Sequence, residues 1–141
     1  MKFSAIFSLT FAALFPLGSS LHAADLKVIA NASVTASEIP AAELKRVFLA
    51  TSNSLSNGNH VEPVLAKGGA THEAFLREYL GKTDAALTNY YRSLVFTGKA
   101  SMPRTLASDA DVAAYVAKTR GAIGYVSSGT SAPGAKTLEV K

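Results

Sequence analysis

The chain has 141 residues, with fourteen Lys and Arg against ten Asp and Glu, and it contains no cysteine. Without a thiol, disulfides, cysteine nucleophiles, thiolate metal sites and a lipidated-cysteine tether are all excluded. The basic residues are dispersed, Lys45-Arg46 being their single adjacent pair, which is the pattern of a solvated surface and not of a nucleic-acid stripe.

The N-terminal segment has the composition of an export signal. Lys2 supplies the positive start, and Ile6 to Leu17 form an apolar core too short to span a bilayer. The small residues of Leu21-His22-Ala23-Ala24 provide a cleavage site after Ala23 or Ala24. Residues 1–23 are thus expected to be a cleaved signal peptide and residues 25–141 a single periplasmic domain. That domain is expected to make no stable membrane insertion. Removing Lys2 with the signal leaves a net charge of +3 of the original +4. About 118 residues suffice for one domain and one core, so stability must come from packing.

Leu26 to Ala30 reads as the first strand. Pro40 then opens a helix in which Leu44, Val47 and Phe48 repeat at helical spacing. Thr51 to Asn59 is a Ser/Asn/Gly loop with Asn57-Gly58 as a tight turn. Val61 to Ala66 reads as a second strand, and Pro63 places it near an edge or delays its start. From Thr71 the pattern is helical, with Phe75, Tyr79 and Leu80 on one side and Gly81 as the stop. Thr83-Asp84 caps a further helix with Leu87, Tyr90 or Tyr91, and Leu94 on its apolar face. Phe96 to Pro103 reads as a loop. Ser108-Asp109-Ala110-Asp111 starts another helix, with Val112, Tyr115 and Val116 at core spacing. Gly121 to Val126 and Thr137 to Val140 read as strands. Strands separated by helices predict an α/β domain with a small mixed sheet of about four or five strands, flanked by helices.

One stretch carries candidate chemistry. Val61 to Ala66 feeds Lys67-Gly68-Gly69-Ala70-Thr71-His72, a glycine pair at the opening of a helix. That order places bare N–H groups and a hydroxyl at the positive helix end, where an anion is favoured.

Glu43-Leu-Lys-Arg-Val-Phe48, Val61-Glu-Pro-Val64, Phe75, Phe96-Thr-Gly-Lys99, Pro103 and Gly121-Ala-Ile-Gly-Tyr125 follow one another in a telling order. Together they resemble the phosphate ABC-transporter substrate-binding protein family, in its small single-lobe members, over about Leu26 to Val140. The resemblance implies one periplasmic-binding-protein-like lobe. In full-length members two such lobes close over phosphate, and a turn reading roughly Arg-x-Asp-Gly-Ser-Gly-Thr provides much of the grip. Carried over, Gly68 matches the glycine of that turn and Thr71 its threonine. Lys67 stands at the acidic position, Gly69 at the serine, Ala70 at the second glycine and Leu65 at the arginine. Losing the arginine removes a bidentate contact to phosphate, and Lys67 could replace it only as a flexible point charge.

The ligand-binding residues implied are Lys67, Gly68, Gly69, Ala70, Thr71 and His72, for phosphate or a similar small oxyanion held weakly. Partners implied are an ABC permease or a second copy of the chain that supplies the missing half of the clamp. His72 in a first helical turn is expected to be exposed, and Thr71 reads equally as an ordinary N-cap. Ser33 and Ser127 to Thr130 are further polar loops in reach of a ligand face, with turn chemistry as the alternative. Tyr90, Tyr91 and Phe96 read as core and hinge packing. No histidine pair has metal-ligand spacing and no nucleophile–base constellation appears, so neither metal, cofactor nor enzymatic activity is expected. The alternative to a binding function is an exported interaction or scaffold protein that keeps the fold without the ligand.

Overall fold

The computed structural model describes residues 25–141, so the expected signal peptide lies outside the described residues. Six strands are interleaved with helices along the chain. In chain order these are β1 (Leu26–Asn31), β2 (Glu38–Ile39), α1 (Ala41–Phe48), β3 (Glu62–Ala66), α2 (Ala70–Phe75), a π-helical segment (Leu76–Leu80), α3 (Asp84–Phe96), β4 (Arg104–Leu106), α4 (Asp109–Lys118), β5 (Ala122–Ser127) and β6 (Ala135–Val140).

The strands form one six-stranded sheet in the order β2-β6-β1-β5-β3-β4. β1 runs antiparallel to β5 and β6, whereas β3 is parallel to both β5 and β4, and β2 is parallel to β6. The sheet is mixed, as expected, and larger than expected by its two short edge strands. Pro63 explains its own tolerance: the Glu62 amide donates to the Gly121 carbonyl of the β5 side at 2.9 Å, so alternation points residue 63 toward β4. Pairing with β4 begins only at Val64, so the donor that proline lacks has no strand to meet.

Helices cover both faces. α4 lies against β5 and β1, and it comes so close at Gly124 that a Cβ there would stand 3.0 Å from Val112 Cγ1 and 3.3 Å from Val116 Cγ2. Asn31 at the end of β1 ties this layer down, its amide nitrogen donating to the carbonyls of Val116 (2.8 Å) and Ala117 (3.0 Å). On the opposite face, Tyr125 of β5 stacks on Phe75 of α2 with ring centroids 3.9 Å apart, and Phe48 of α1 meets Phe75 edge-on at 4.8 Å. Such offset and edge contacts each add about 0.5–1.5 kcal/mol to the burial of these rings. Tyr91 of α3 is buried beside them and its hydroxyl donates to the Phe48 carbonyl, while the half-buried Tyr90 reaches the Leu49 carbonyl at 2.6 Å.

The reading of one aromatic residue changes. Phe96 is not packed into a hinge: at 92% exposure it is the last residue of α3 and stands in solvent. The 51–59 loop is pinned to α1, because buried Glu43 accepts hydrogen bonds from the Ser56 amide and hydroxyl.

Candidate functional site

β3 delivers the chain to Lys67, whose amide donates to the Leu106 carbonyl of β4 at 2.8 Å and so ends the strand pairing. Gly68 and Gly69 then take φ of 108° and 93°, and Gly69 has ψ 170°, backbone that a side chain would strain severely. A Cβ on either glycine would meet no atom within 4 Å, so these glycines serve backbone geometry and not packing, and the face above them is open. α2 begins directly at Ala70 with Gly69 as its N-cap, and its first internal bond runs from the Glu73 amide to the Gly69 carbonyl at 3.0 Å.

The structure brings together the residues that the sequence singled out. The amides of Gly68, Gly69, Ala70, Thr71 and His72 donate to no acceptor among the described residues. Lys67, Gly68, Gly69 and Ala70 are exposed and Thr71 is half-buried. Thr71 is not the N-cap that one reading of it supposed: it is the second helical residue, and its hydroxyl has no partner among the described residues.

His72 departs from the expectation of an exposed first-turn residue. It is 1% exposed and held from both sides. Tyr125 Oη accepts from the Ala66 amide at 3.0 Å, so its proton faces His72 Nδ1 at 2.5 Å, which leaves Nε2–H to donate to Asp84 Oδ1 at 2.7 Å. A signal for this was present: residues 72, 75, 76 and 80 fall on one helical face, and Phe75, Leu76 and Leu80 are all buried. Asp84 is the first residue of α3, so the imidazole links the sheet and the openings of two helices. Burial drives the Tyr125 and Tyr91 hydroxyls well above the usual tyrosine range.

A shallow cavity of about 150 Å³ lies beside the turn, lined by Leu65, Lys67, His72, Asp84 and Thr105 among others. Its charges are mixed. Lys67 brings one cation, Asp84 brings a carboxylate whose side chain is 66% exposed, and Leu65 is 6% exposed where the family resemblance would want an arginine. The arrangement can offer an anion several amide donors and one flexible ammonium, against one opposing charge.

The other candidates resolve into turn chemistry. The Ser33 hydroxyl accepts from the Gly121 amide at 2.9 Å. Ser127 and Thr130 pair through their hydroxyls at 2.9 Å, and Asp109 accepts from the Ser127 amide at 3.0 Å. Among the described residues no group of three or more His, Cys, Asp or Glu gathers to hold a metal, and no helix is long and apolar enough to cross a membrane.

No protein-family model matches the chain, and no curated protein matches it. Solved structures do. An ABC-type phosphate transport receptor from Vibrio cholerae superposes with a TM-score of 0.65 at 14% identity, over 82% of this chain and 46% of that one. PstS from Borrelia burgdorferi gives 0.62 at 13% identity, over 83% and 47%. A Clostridium perfringens structure with bound phosphate, named for the same class of transporter, gives 0.64 at 16% identity, over 82% and 44%. The chain therefore has the fold of phosphate ABC-transporter substrate-binding proteins, in a length that spans less than half of the structures it matches.

Proposed function

We propose that the protein is an exported, periplasmic solute-binding-type module that holds phosphate or a similar oxyanion weakly at the Gly68–His72 turn, without catalysing a reaction. The observation that carries this reading is the run of unoccupied amides from Gly68 to His72 at the mouth of α2, on the fold that the phosphate receptors share. The ligands are Lys67, the backbone of Gly68, Gly69, Ala70 and His72, and the Thr71 hydroxyl. Weakness follows from magnitude. An exposed helix-end dipole is worth about 0.3–1 kcal/mol, and nothing among the described residues covers the outer face of the ion. A second lobe, from another copy or from an ABC permease, would complete the desolvation that tight binding requires.

Titration of the purified protein with phosphate and with sulfate, followed by amide NMR, tests the reading. The Gly68–His72 amides should shift together and saturate in the millimolar range. Absence of any shift there at about 20 mM ligand overturns it, since amides that bind an ion even at about −4 kcal/mol would be half occupied near 1 mM.

The buried Leu65 and the Asp84 carboxylate favour a second reading, a scaffold that retains the lobe and has lost its ligand. If a Lys67→Ala, Thr71→Ala double variant leaves the behaviour of the producing cell unchanged, this second reading gains.

A further inference from the structure

A larger cleft, of about 700 Å³, opens at the other end of β3. The Gly68–Gly69 turn follows the C-terminal end of that strand, whereas His60, Glu62 and Pro63 bring its N-terminal end to the cleft; Tyr91 and Met102 line both the cleft and the small cavity beside the turn. Lys99 lines it from the segment between α3 and β4, Arg104 from the first position of β4, and Arg120 from the turn before β5. All three are exposed, and among the described residues none forms an ion pair or donates a side-chain hydrogen bond; the ion pairs found there are His72–Asp84 and Lys141–Glu38.

Tyr115 organises this charge. Its hydroxyl donates to Glu62 Oε1 at 2.8 Å, engaging the one carboxylate that lines the cleft. The face of the same ring lies 5.1 Å from the Arg104 guanidinium carbon, a cation–π contact that fixes the arginine. The Asn53 amide nitrogen and the Ser101 hydroxyl add uncharged donors with no partner among the described residues, and buried Val47 and Val61 add apolar wall. Three cations against one carboxylate leave the cleft with an excess of positive charge, and a concave wall focuses that field on what enters.

We propose that this cleft binds a small organic anion carrying two or more acidic groups, of the size of a tricarboxylate or a phosphorylated metabolite. A volume of this size lies within the usual range for small-molecule sites, and it far exceeds what one phosphate ion fills. Two separated acidic groups can engage Arg104 and Arg120 together, with the fork geometry that suits arginine to carboxylate and phosphate alike. The proposal does not depend on oxyanion binding at the Gly68–His72 turn.

Citrate and pyrophosphate are the probes, titrated at low ionic strength by calorimetry and amide NMR, with orthophosphate as the single-centred comparison. Either probe should bind at least roughly tenfold tighter than orthophosphate, shift the amides of Asn53, Ser101 and Arg104, and weaken as salt screens the cations. Which of the two binds tighter distinguishes a carboxylate from a phosphate ligand. An Arg104→Gln, Arg120→Gln double variant should weaken binding roughly tenfold or more, while Lys136→Gln, outside the cleft, leaves it unchanged. Should the double variant lose its fold by circular dichroism, Lys99→Gln alone must still weaken binding roughly threefold. No binding of either probe at about 10 mM overturns the proposal, as does equal weakening by Lys136→Gln, which would reduce the effect to net charge.

Discussion

The His72 imidazole joins a buried tyrosine to an exposed carboxylate: Tyr125 Oη stands 2.5 Å from Nδ1, and Asp84 Oδ1 stands 2.7 Å from Nε2. Because the same tyrosine oxygen accepts the Ala66 amide, the Tyr125–His72 pair joins the end of β3 to α2 and to the start of α3. Tyr125→Phe strands the Ala66 amide and Nδ1 together, and should cost about 1–3 kcal/mol. His72→Ala opens a cavity as well and should cost about 2–4 kcal/mol. Urea unfolding of both single variants and the double should give a coupling energy of about 1 kcal/mol or more; simple additivity would mean that the contact contributes nothing of its own.

Gly124 lies at a close approach of α4 to the sheet. A methyl group there would stand 3.0 Å from Val112 Cγ1, in a helix face that is fully buried, so Gly124→Ala should destabilise by about 1–3 kcal/mol. Combining it with Val112→Ala makes room for that methyl and should recover part of the loss. A melting temperature for the double variant below that expected from adding the two single effects would refute this account of the glycine.

Much of this architecture is written in local pattern. The helical spacing of Leu44, Val47 and Phe48 and the capping serine and threonine before α3 and α4 place those helices to within a residue or two. What the pattern hides is non-local. β2 has two residues and β4 three, and each exists only because a distant strand, β6 or β3, offers it a ladder. The π-helical segment likewise carries no mark of its own in the sequence, yet it is where Leu76, absent from the expected face, enters the core. At the turn, the glycine pair was legible because positive φ demands glycine, whereas the burial of His72 depended on partners from β5 and α3 that sequence separation conceals. The cationic cleft has the same origin: its basic residues, dispersed along the chain, meet only after β3, β4 and β5 align.

Alkaline pH should unfold the protein early. Burial raises the pKa of both Tyr91 and Tyr125 above the usual tyrosine value of 10.0, so above that pH the unfolded chain loses protons that the folded chain still holds. The stability involved is fully present below pH 10 and falls as pH rises beyond it, by up to about 1.4 kcal/mol per pH unit for each tyrosine. Urea midpoints measured from pH 8 to 11.5 should be flat and then drop. Tyr91→Phe should lower the plateau, through the lost hydrogen bond to the Phe48 carbonyl, yet make the drop shallower. An unchanged slope would assign the alkaline transition to other groups.

The weakness of the proposed oxyanion site has a local cause that can be reversed in steps. Leu65 occupies the place where the family resemblance would put an arginine, and the cavity it lines also holds Asp84. Leu65→Arg alone would bring a guanidinium within reach of that carboxylate. The two charges would then satisfy each other, so phosphate affinity should change little. Asp84→Asn alone removes the repulsion and keeps an acceptor for His72 Nε2–H, and should strengthen binding roughly twofold to fivefold. The double variant frees the guanidinium for the ion and should strengthen binding roughly tenfold or more, a gain larger than the product of the single effects. NMR titration of the Gly69 and Thr71 amides across the four proteins measures this. Strict multiplicativity, or no gain in the double variant, would place the ion elsewhere than beside Leu65.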